Sequence, residues 1–189
     1  MYFVAGLYSI LIVILNQNFA EPTKVFPNED KGIFILLGIF IIITGVVSCV
    51  YHVHTPSWKN SINIDEEHNY SSTSAIDTGF SMSVFFVGLL FFLMRLFIIR
   101  KHAIRVVKDP VFYLVILFGI ISLVFFLIAQ QKNSDAKTCP DNHSKKEKIR
   151  LCIKDNHEEY DIYHSNWHLF TGIFALFGIT LIKHTYNYE

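Results

Sequence analysis

Residues 32–47 read GIFILLGIFIIITGVV, and this run contains no charged residue. A helix needs roughly 20 mostly apolar residues to cross the hydrocarbon core of a bilayer. The run approaches that length and continues into SCVYHVHTP at 48–56, which carries a serine, a tyrosine and two histidines. An imidazole at the end of a membrane helix costs free energy unless something uses it. The stretch therefore predicts a membrane-spanning helix with a functional polar end.

The composition extends this prediction to the whole chain. Of the 189 residues, 52% are hydrophobic and 18 are phenylalanine. The apolar residues are gathered into blocks, which favours one all-α membrane domain over 1–189, a multi-pass bundle of about five helices. The predicted helices are 2–16, 33–51, 79–99, 111–130 and 165–183, and the predicted polar loops are 52–78 and 131–163.

The first helix, 2–16, is short for a span, and a signal sequence is the alternative for this segment. No basic residue precedes it, and the stretch NFA-E at 18–21 lacks a small residue at the −3 position of a cleavage site. These two features favour a true first helix. The chain also contains no phosphate-binding glycine loop and no serine-hydrolase elbow, and its net charge of zero gives no general attraction to nucleic acid.

Successive spans alternate in direction, which places the unusual polar residues relative to the membrane. We call the side on which helix 33–51 ends the histidine side. The chain start and both polar loops lie on this side. Five polar residues at three helix ends converge there, namely Ser48, His52, Asp77, His164 and His168.

These residues suit a metal centre. His164 and His168 are four residues apart, so on a helix they share one face and can bind one ion. His52 would supply a third nitrogen and leave a fourth position for water, which is typical of a catalytic zinc site. Zinc lowers the pKa of a bound water to about 7. Asp77 would accept the proton of that water or orient the water, and Ser48 would donate a hydrogen bond to the oxyanion or to a group that supports a ligating imidazole.

Each signal also has a simpler interpretation. A pair of histidines one turn apart usually lies on the solvated surface of a helix, and Asp77 could cap its helix. Ser48 could bond to the backbone of its own helix. His54 is the substitute ligand if His52 is not one. The convergence of all of them on one side of the membrane favours the metal site.

The pattern Ser-x-x-x-His, Asp and His-x-x-x-His resembles that of the CREST superfamily of membrane hydrolases. Within it, GVVSCVYHVHTP, AIDTGFSMSVFFVGLLFFLMRLFIIRKH and YDIYHSNWHLFTGIFALFG resemble the SID transmembrane family. The resemblance implies a reduced CREST-like core, because the family core has seven helices. It also implies zinc ligands at His52, His164 and His168, a water-positioning acid at Asp77 and the pattern serine at Ser48.

The same resemblance implies the function and partners. It indicates transport of double-stranded RNA or of cholesterol and other lipids, with ceramidase-like hydrolysis of a lipid amide or ester as a further activity. The partner would then be a membrane lipid or sterol. The alternative is a lipid-binding protein in which zinc is purely structural. Direct RNA binding through KKEKIR at 145–150 is disfavoured, since no aromatic residues alternate with these charges.

Charge density and modification signals predict the orientation. The 16 lysines and arginines divide equally between the two sides, but RKHAIRVVK at 100–108 packs four of them close to helix ends. Glycosylation sequons at Asn69 and Asn142 lie on the histidine side, as do Cys139 and Cys152, which can pair in an oxidising compartment. The histidine side is therefore predicted to face the lumen or exterior, in the plasma membrane or an endolysosomal membrane.

Overall fold

The structure, a computed structural model, describes residues 1–19, 28–54, 76–90, 93, 103–137 and 146–186. Every element in this part of the chain is an α-helix, which confirms the predicted all-α fold. The helices are α1 (Tyr2–Phe19), α2 (Asn28–His54), α3 (Ile76–Leu90), α4 (Ala103–Lys108), α5 (Pro110–Lys137) and α6 (Lys146–Tyr186).

Three of these helices are long and apolar enough to cross a membrane: α2 over Lys31–Val50, α5 over Pro110–Asp135 and α6 over Asp155–His184. The apolar parts of α1 and α3, Tyr2–Leu15 and Ile76–Leu90, are shorter. α5 buries little of its apolar surface inside the protein, as expected of a helix whose sides face lipid. The chain is thus a helical membrane protein.

The helices pack around α6. It makes its most extensive contact with α5, and α1 packs against both α2 and α6. Aromatic rings fill the seam between α5 and α6, where Phe118 stacks on Phe177 at a centroid distance of 5.4 Å and Phe125 on Phe170 at 5.2 Å. A second core joins four helices through Ala5, Ile12, Phe34, Ile41, Val84 and Ile179.

Two glycines bring α1 and α2 into backbone contact. A Cβ atom on Gly6 would lie 2.7 Å from the carbonyl oxygen of Gly38, and one on Gly38 would lie 2.8 Å from that of Gly6. Small residues at such crossings let membrane helices approach closely. The closeness also allows the buried Ser9 hydroxyl to donate a hydrogen bond to the Phe34 carbonyl across the interface, at 2.8 Å.

The long polar loop predicted at 131–163 is wrong for most of its length. α5 continues to Lys137 and α6 already begins at Lys146. Hydropathy marks where the apolar surface ends, whereas a helix ends where its backbone hydrogen bonding ends. Polar residues such as Lys, Glu and Gln form helices readily, so both helices extend beyond their apolar spans.

The other boundaries also differ from the predicted ones. α2 and α3 extend three residues beyond the expected helices into the predicted loop 52–78, and residues 55–75 lie outside the described part. α4 was not predicted. It ends at a corner where Asp109 accepts a hydrogen bond from the amide of Val111 at 2.9 Å, while the other carboxylate oxygen lies 2.7 Å from His184 Nδ1. This pair joins the beginning of α5 to the end of α6.

Candidate metal centre

The interface of α3 and α6 brings together three predicted site residues. Asp77 lies in the first turn of α3, while His164 and His168 lie one turn apart on α6. All three side chains are buried: Asp77 and His164 are 0% exposed and His168 is 7% exposed. The alternation of the spans predicts that these three residues come together, since α3 begins on the membrane side at which the polar part of α6 lies.

Three ligand atoms converge within this cluster. Asp77 Oδ2 lies 2.8 Å from His164 Nε2 and 2.8 Å from His168 Nε2, and the two nitrogens are 2.9 Å apart. An imidazole nitrogen carries at most one proton, and that N–H is directed at one acceptor. Protons on the rings therefore cannot satisfy all three close contacts, whereas one cation beside the three atoms can. The donor set fits a metal ion.

The second carboxylate oxygen supports the same conclusion. Asp77 Oδ1 is buried and accepts no hydrogen bond from any residue that the structure describes. An unsatisfied carboxylate oxygen in such surroundings is costly unless a cation or an activated water uses it.

Aromatic rings fix the two imidazoles from outside. Tyr160 stacks on His164 at a centroid distance of 5.0 Å, and Trp167 stacks on His168 at 4.8 Å. Tyr160 and Trp167 are 0% and 1% exposed, which keeps this wall of the site dry. A low local dielectric strengthens the attraction between the ligand atoms and a bound cation.

Two further residues contact the cluster, and the sequence analysis missed both. The Tyr2 hydroxyl lies 3.0 Å from His168 Nδ1, and Ser81 Oγ lies 3.1 Å from the same nitrogen. Ser81 follows Asp77 by one helical turn on α3, so the spacing rule that joined the two histidines would have found it. Tyr2 has no such signal, because its position depends on how closely α1 approaches α6.

The structure places the remaining candidates less completely. Ser48 is buried on α2, three residues after Gly45, whose backbone packs against Tyr2 of α1, so the two residues lie on one side of α2. His52 belongs to α2, but its side chain lies outside the described part, and its role as a ligand stays a prediction. Asp77 Oδ2 lies 2.8 Å from both imidazole nitrogens, so this oxygen could also hold a metal ion, and the predicted role of Asp77 towards water stays a prediction.

The predicted modification sites fall mostly outside the described residues. Asn69, Asn142 and Cys139 belong to this undescribed part. Cys152 is described and is disulfide-bonded. Its pairing with Cys139 therefore stays a prediction.

Asp77, His164 and His168 are thus a buried group that could hold a metal ion, near the polar end of a bundle of membrane-spanning helices. The three donors come from two helices far apart in sequence, so the folded bundle is needed to assemble them. Comparison of the chain with protein-family models, with curated proteins and with solved structures finds no match.

Proposed function

We propose that the protein is a zinc-binding membrane protein that hydrolyses an amide or ester bond of a lipid, in the manner implied by its resemblance to the SID transmembrane family and the CREST superfamily. The observation that carries the proposal is the contact of Asp77 Oδ2 with both imidazole Nε2 atoms inside the bundle. Ionisable side chains inside a bundle of membrane helices are costly and usually mark a functional site.

Zinc is the metal favoured by these donors. Two imidazoles and a carboxylate form a common catalytic zinc set, and His52 on α2 would add a third imidazole. When bound, zinc activates water as a nucleophile at neutral pH and polarises a carbonyl group. The protein then has to exclude bulk water, which the Tyr160 and Trp167 rings do on one side, and to handle the protons.

The residues around the metal position suit these tasks. Asp77 Oδ1 is buried and available as a proton acceptor, at the far side of the same carboxylate that contacts both histidines. Ser48 is buried on α2, and its hydroxyl would donate a hydrogen bond to the carbonyl oxygen of a substrate. Asp77 on α3 would thus accept the proton, and Ser48 on α2 would donate the hydrogen bond that stabilises the oxyanion.

A lipid substrate suits the surroundings of the site. An apolar cavity between α2, α3, α5 and α6 is lined by Leu37, Ile41, Val84, Val115, Phe174 and Ile179. Phe174 is six residues beyond His168, which corresponds to roughly 9 Å along α6. An acyl chain in this cavity would leave its carbonyl group near the histidines. We place the site on the lumenal or exterior side of a plasma or endolysosomal membrane.

The metal is tested first. The purified wild-type protein should contain about one zinc ion per chain, and His168→Ala should remove it because a ligand is lost. His184→Ala is the matched control: this histidine is on the same helix, roughly 24 Å away, and contacts Asp109. Elemental analysis gives the metal content. Absence of stoichiometric zinc from the wild type, or its retention in His168→Ala, would refute the proposal.

Hydrolysis is tested separately. A fluorescent N-acyl lipid amide and the matched O-acyl ester are offered in detergent micelles, with zinc content measured in parallel. Asp77→Asn removes the proton-accepting carboxylate and should abolish cleavage of either substrate. An Asp77→Asn variant that keeps zinc, fold and full function would favour a second candidate: a sterol, lipid or double-stranded RNA transporter in which zinc only joins the helices. Lipid analysis of the purified protein would then identify its cargo.

A further inference from the structure

The outer nitrogen of His168 has two hydroxyl neighbours. Tyr2 OH and Ser81 Oγ lie 3.0 and 3.1 Å from His168 Nδ1. All three side chains are buried, with Tyr2 5% exposed, Ser81 0% and His168 7%. Histidines that ligate metals almost always donate their other ring N–H to a nearby acceptor, which fixes the tautomer and the orientation of the ring.

We propose that Tyr2 and Ser81 are positioning residues of the metal centre. Their hydroxyl oxygens are the acceptors within reach of the His168 Nδ1–H, so the proton stays on Nδ1 and the lone pair of Nε2 is directed at the metal position beside Asp77. The inference rests on the proposed function only in requiring that a metal binds at this cluster. It assigns a role to two residues outside the predicted ligand set.

The protein is arranged so that both hydroxyl groups reach the ring. Ser81 lies one turn after Asp77, so the helix that supplies a carboxylate ligand also supplies a partner for a histidine ligand. Tyr2 approaches from α1, edge-on to the imidazole, with ring centroids 5.7 Å apart. Two hydroxyl groups from two different helices therefore constrain one nitrogen, which leaves the His168 ring little freedom to rotate.

The approach of α1 depends on a glycine on α6. Gly172 lies one turn after His168, and a Cβ atom there would be 2.6 Å from the Met1 Cβ and 3.2 Å from the Tyr2 amide nitrogen. Any larger residue at 172 would force the start of α1 away from α6. Gly172 thus permits the close contact through which the Tyr2 hydroxyl reaches His168.

The affinity for metal tests this assignment. Zinc is titrated into the metal-free full-length protein against a competing chelator of known affinity. Loss of an outer partner of a ligating histidine typically weakens metal binding 10–100-fold, so Tyr2→Phe and Ser81→Ala should each weaken zinc binding by about tenfold, and the double variant by more. Tyr8→Phe on α1 and Ser83→Ala on α3 are the matched controls, because the Tyr8 hydroxyl contacts Thr180 and the exposed Ser83 hydroxyl bonds to the Gly79 carbonyl. Both variants should bind zinc as the wild type does.

Two further measurements separate positioning from packing. Ser81→Thr keeps a hydroxyl group while Ser81→Val has nearly the same shape without one, so Thr should retain affinity that Val loses. Cobalt(II) substituted for zinc should show a shifted visible absorption spectrum in Tyr2→Phe, since the ligand ring is less constrained, and an unshifted one in Tyr8→Phe. A double variant with wild-type zinc affinity and an unchanged cobalt spectrum would overturn the assignment. Absence of metal binding in the wild type would refute the proposed function as well, so the failure of the assignment alone can be told apart from the failure of both.

Discussion

Asp77, His164 and His168 depend on one another because all three side chains are buried. A buried carboxylate is expensive unless it is paired, and removal of one partner leaves the other uncompensated. Here one oxygen faces two imidazoles within 2.8 Å, and the second oxygen has no hydrogen-bond partner among the described residues. A bound cation would therefore stabilise the fold as well as supply chemistry, by the free energy with which it prefers the folded chain.

Ser9 offers a test at the level of a single hydrogen bond. Its hydroxyl is buried and joins α1 to the Phe34 carbonyl at 2.8 Å, so Ser9→Ala should destabilise the protein by about 1 kcal/mol. Ser83→Ala is the control, because this exposed hydroxyl bonds only to the Gly79 carbonyl of its own helix. Thermal unfolding in detergent should show a melting temperature below that of the wild type for Ser9→Ala and not for Ser83→Ala. Equal melting temperatures would contradict the role of the interhelical bond.

The sequence predicts the three residues of the buried cluster better than it predicts their partners. His164 and His168 are found from their spacing, and Asp77 from the alternation of the spans, because both rules depend on the chain alone. Tyr2 is different: its contact with His168 spans 166 positions and arises from the close packing of α1 on α6. A tyrosine at the start of an apolar helix looks the same whether it faces lipid or a histidine.

The α1–α2 pair provides a test at the level of elements. Gly38→Ala would place a methyl group 2.8 Å from the Gly6 carbonyl oxygen, so the two helices must separate. Overpacking of this kind typically costs about 1–3 kcal/mol. Gly32→Ala is the control on the same helix, since nothing lies within 4 Å of the added atom. Chemical or thermal unfolding should show a loss of stability for Gly38→Ala only, and similar behaviour of the two variants would refute the close crossing.

α6 shows why helix ends could not be predicted from hydropathy. Its 41 residues correspond to roughly 60 Å, about twice the thickness of the hydrocarbon core of a bilayer. The sequence predicts the apolar half at 165–183 and treats the polar half as a loop. Yet the polar half contains the buried residues His157 and Tyr160 and leads directly into His164. Apolar periodicity indicates which part of a helix contacts lipid. It gives no information on whether the helix continues beyond the bilayer.

Orientation is a property of the whole molecule and has its own test. The predicted lumenal or exterior position of the histidine side implies that Asn69 and Asn142 meet the glycosylation machinery. Expression in a secretory system should give a protein whose electrophoretic mobility increases after N-glycosidase treatment, and Asn69→Gln with Asn142→Gln should abolish the shift. As a control, a sequon introduced at 105–107, on the opposite side, should stay unmodified. Modification there instead would reverse the assigned orientation.

The distance in sequence between the ligands has a consequence for synthesis. Asp77 and His164 are separated by 87 positions, which a ribosome adds in roughly 4–17 s at 5–20 residues per second. During that interval α3 is already present, whereas α6, which carries the two imidazole partners of Asp77, has not yet been synthesised. Until α6 is present, the Asp77 carboxylate at the start of α3 can stay at the membrane surface, where water solvates it. The cluster is consequently assembled only after α6 has entered the bilayer, and a metal ion would be acquired after that step.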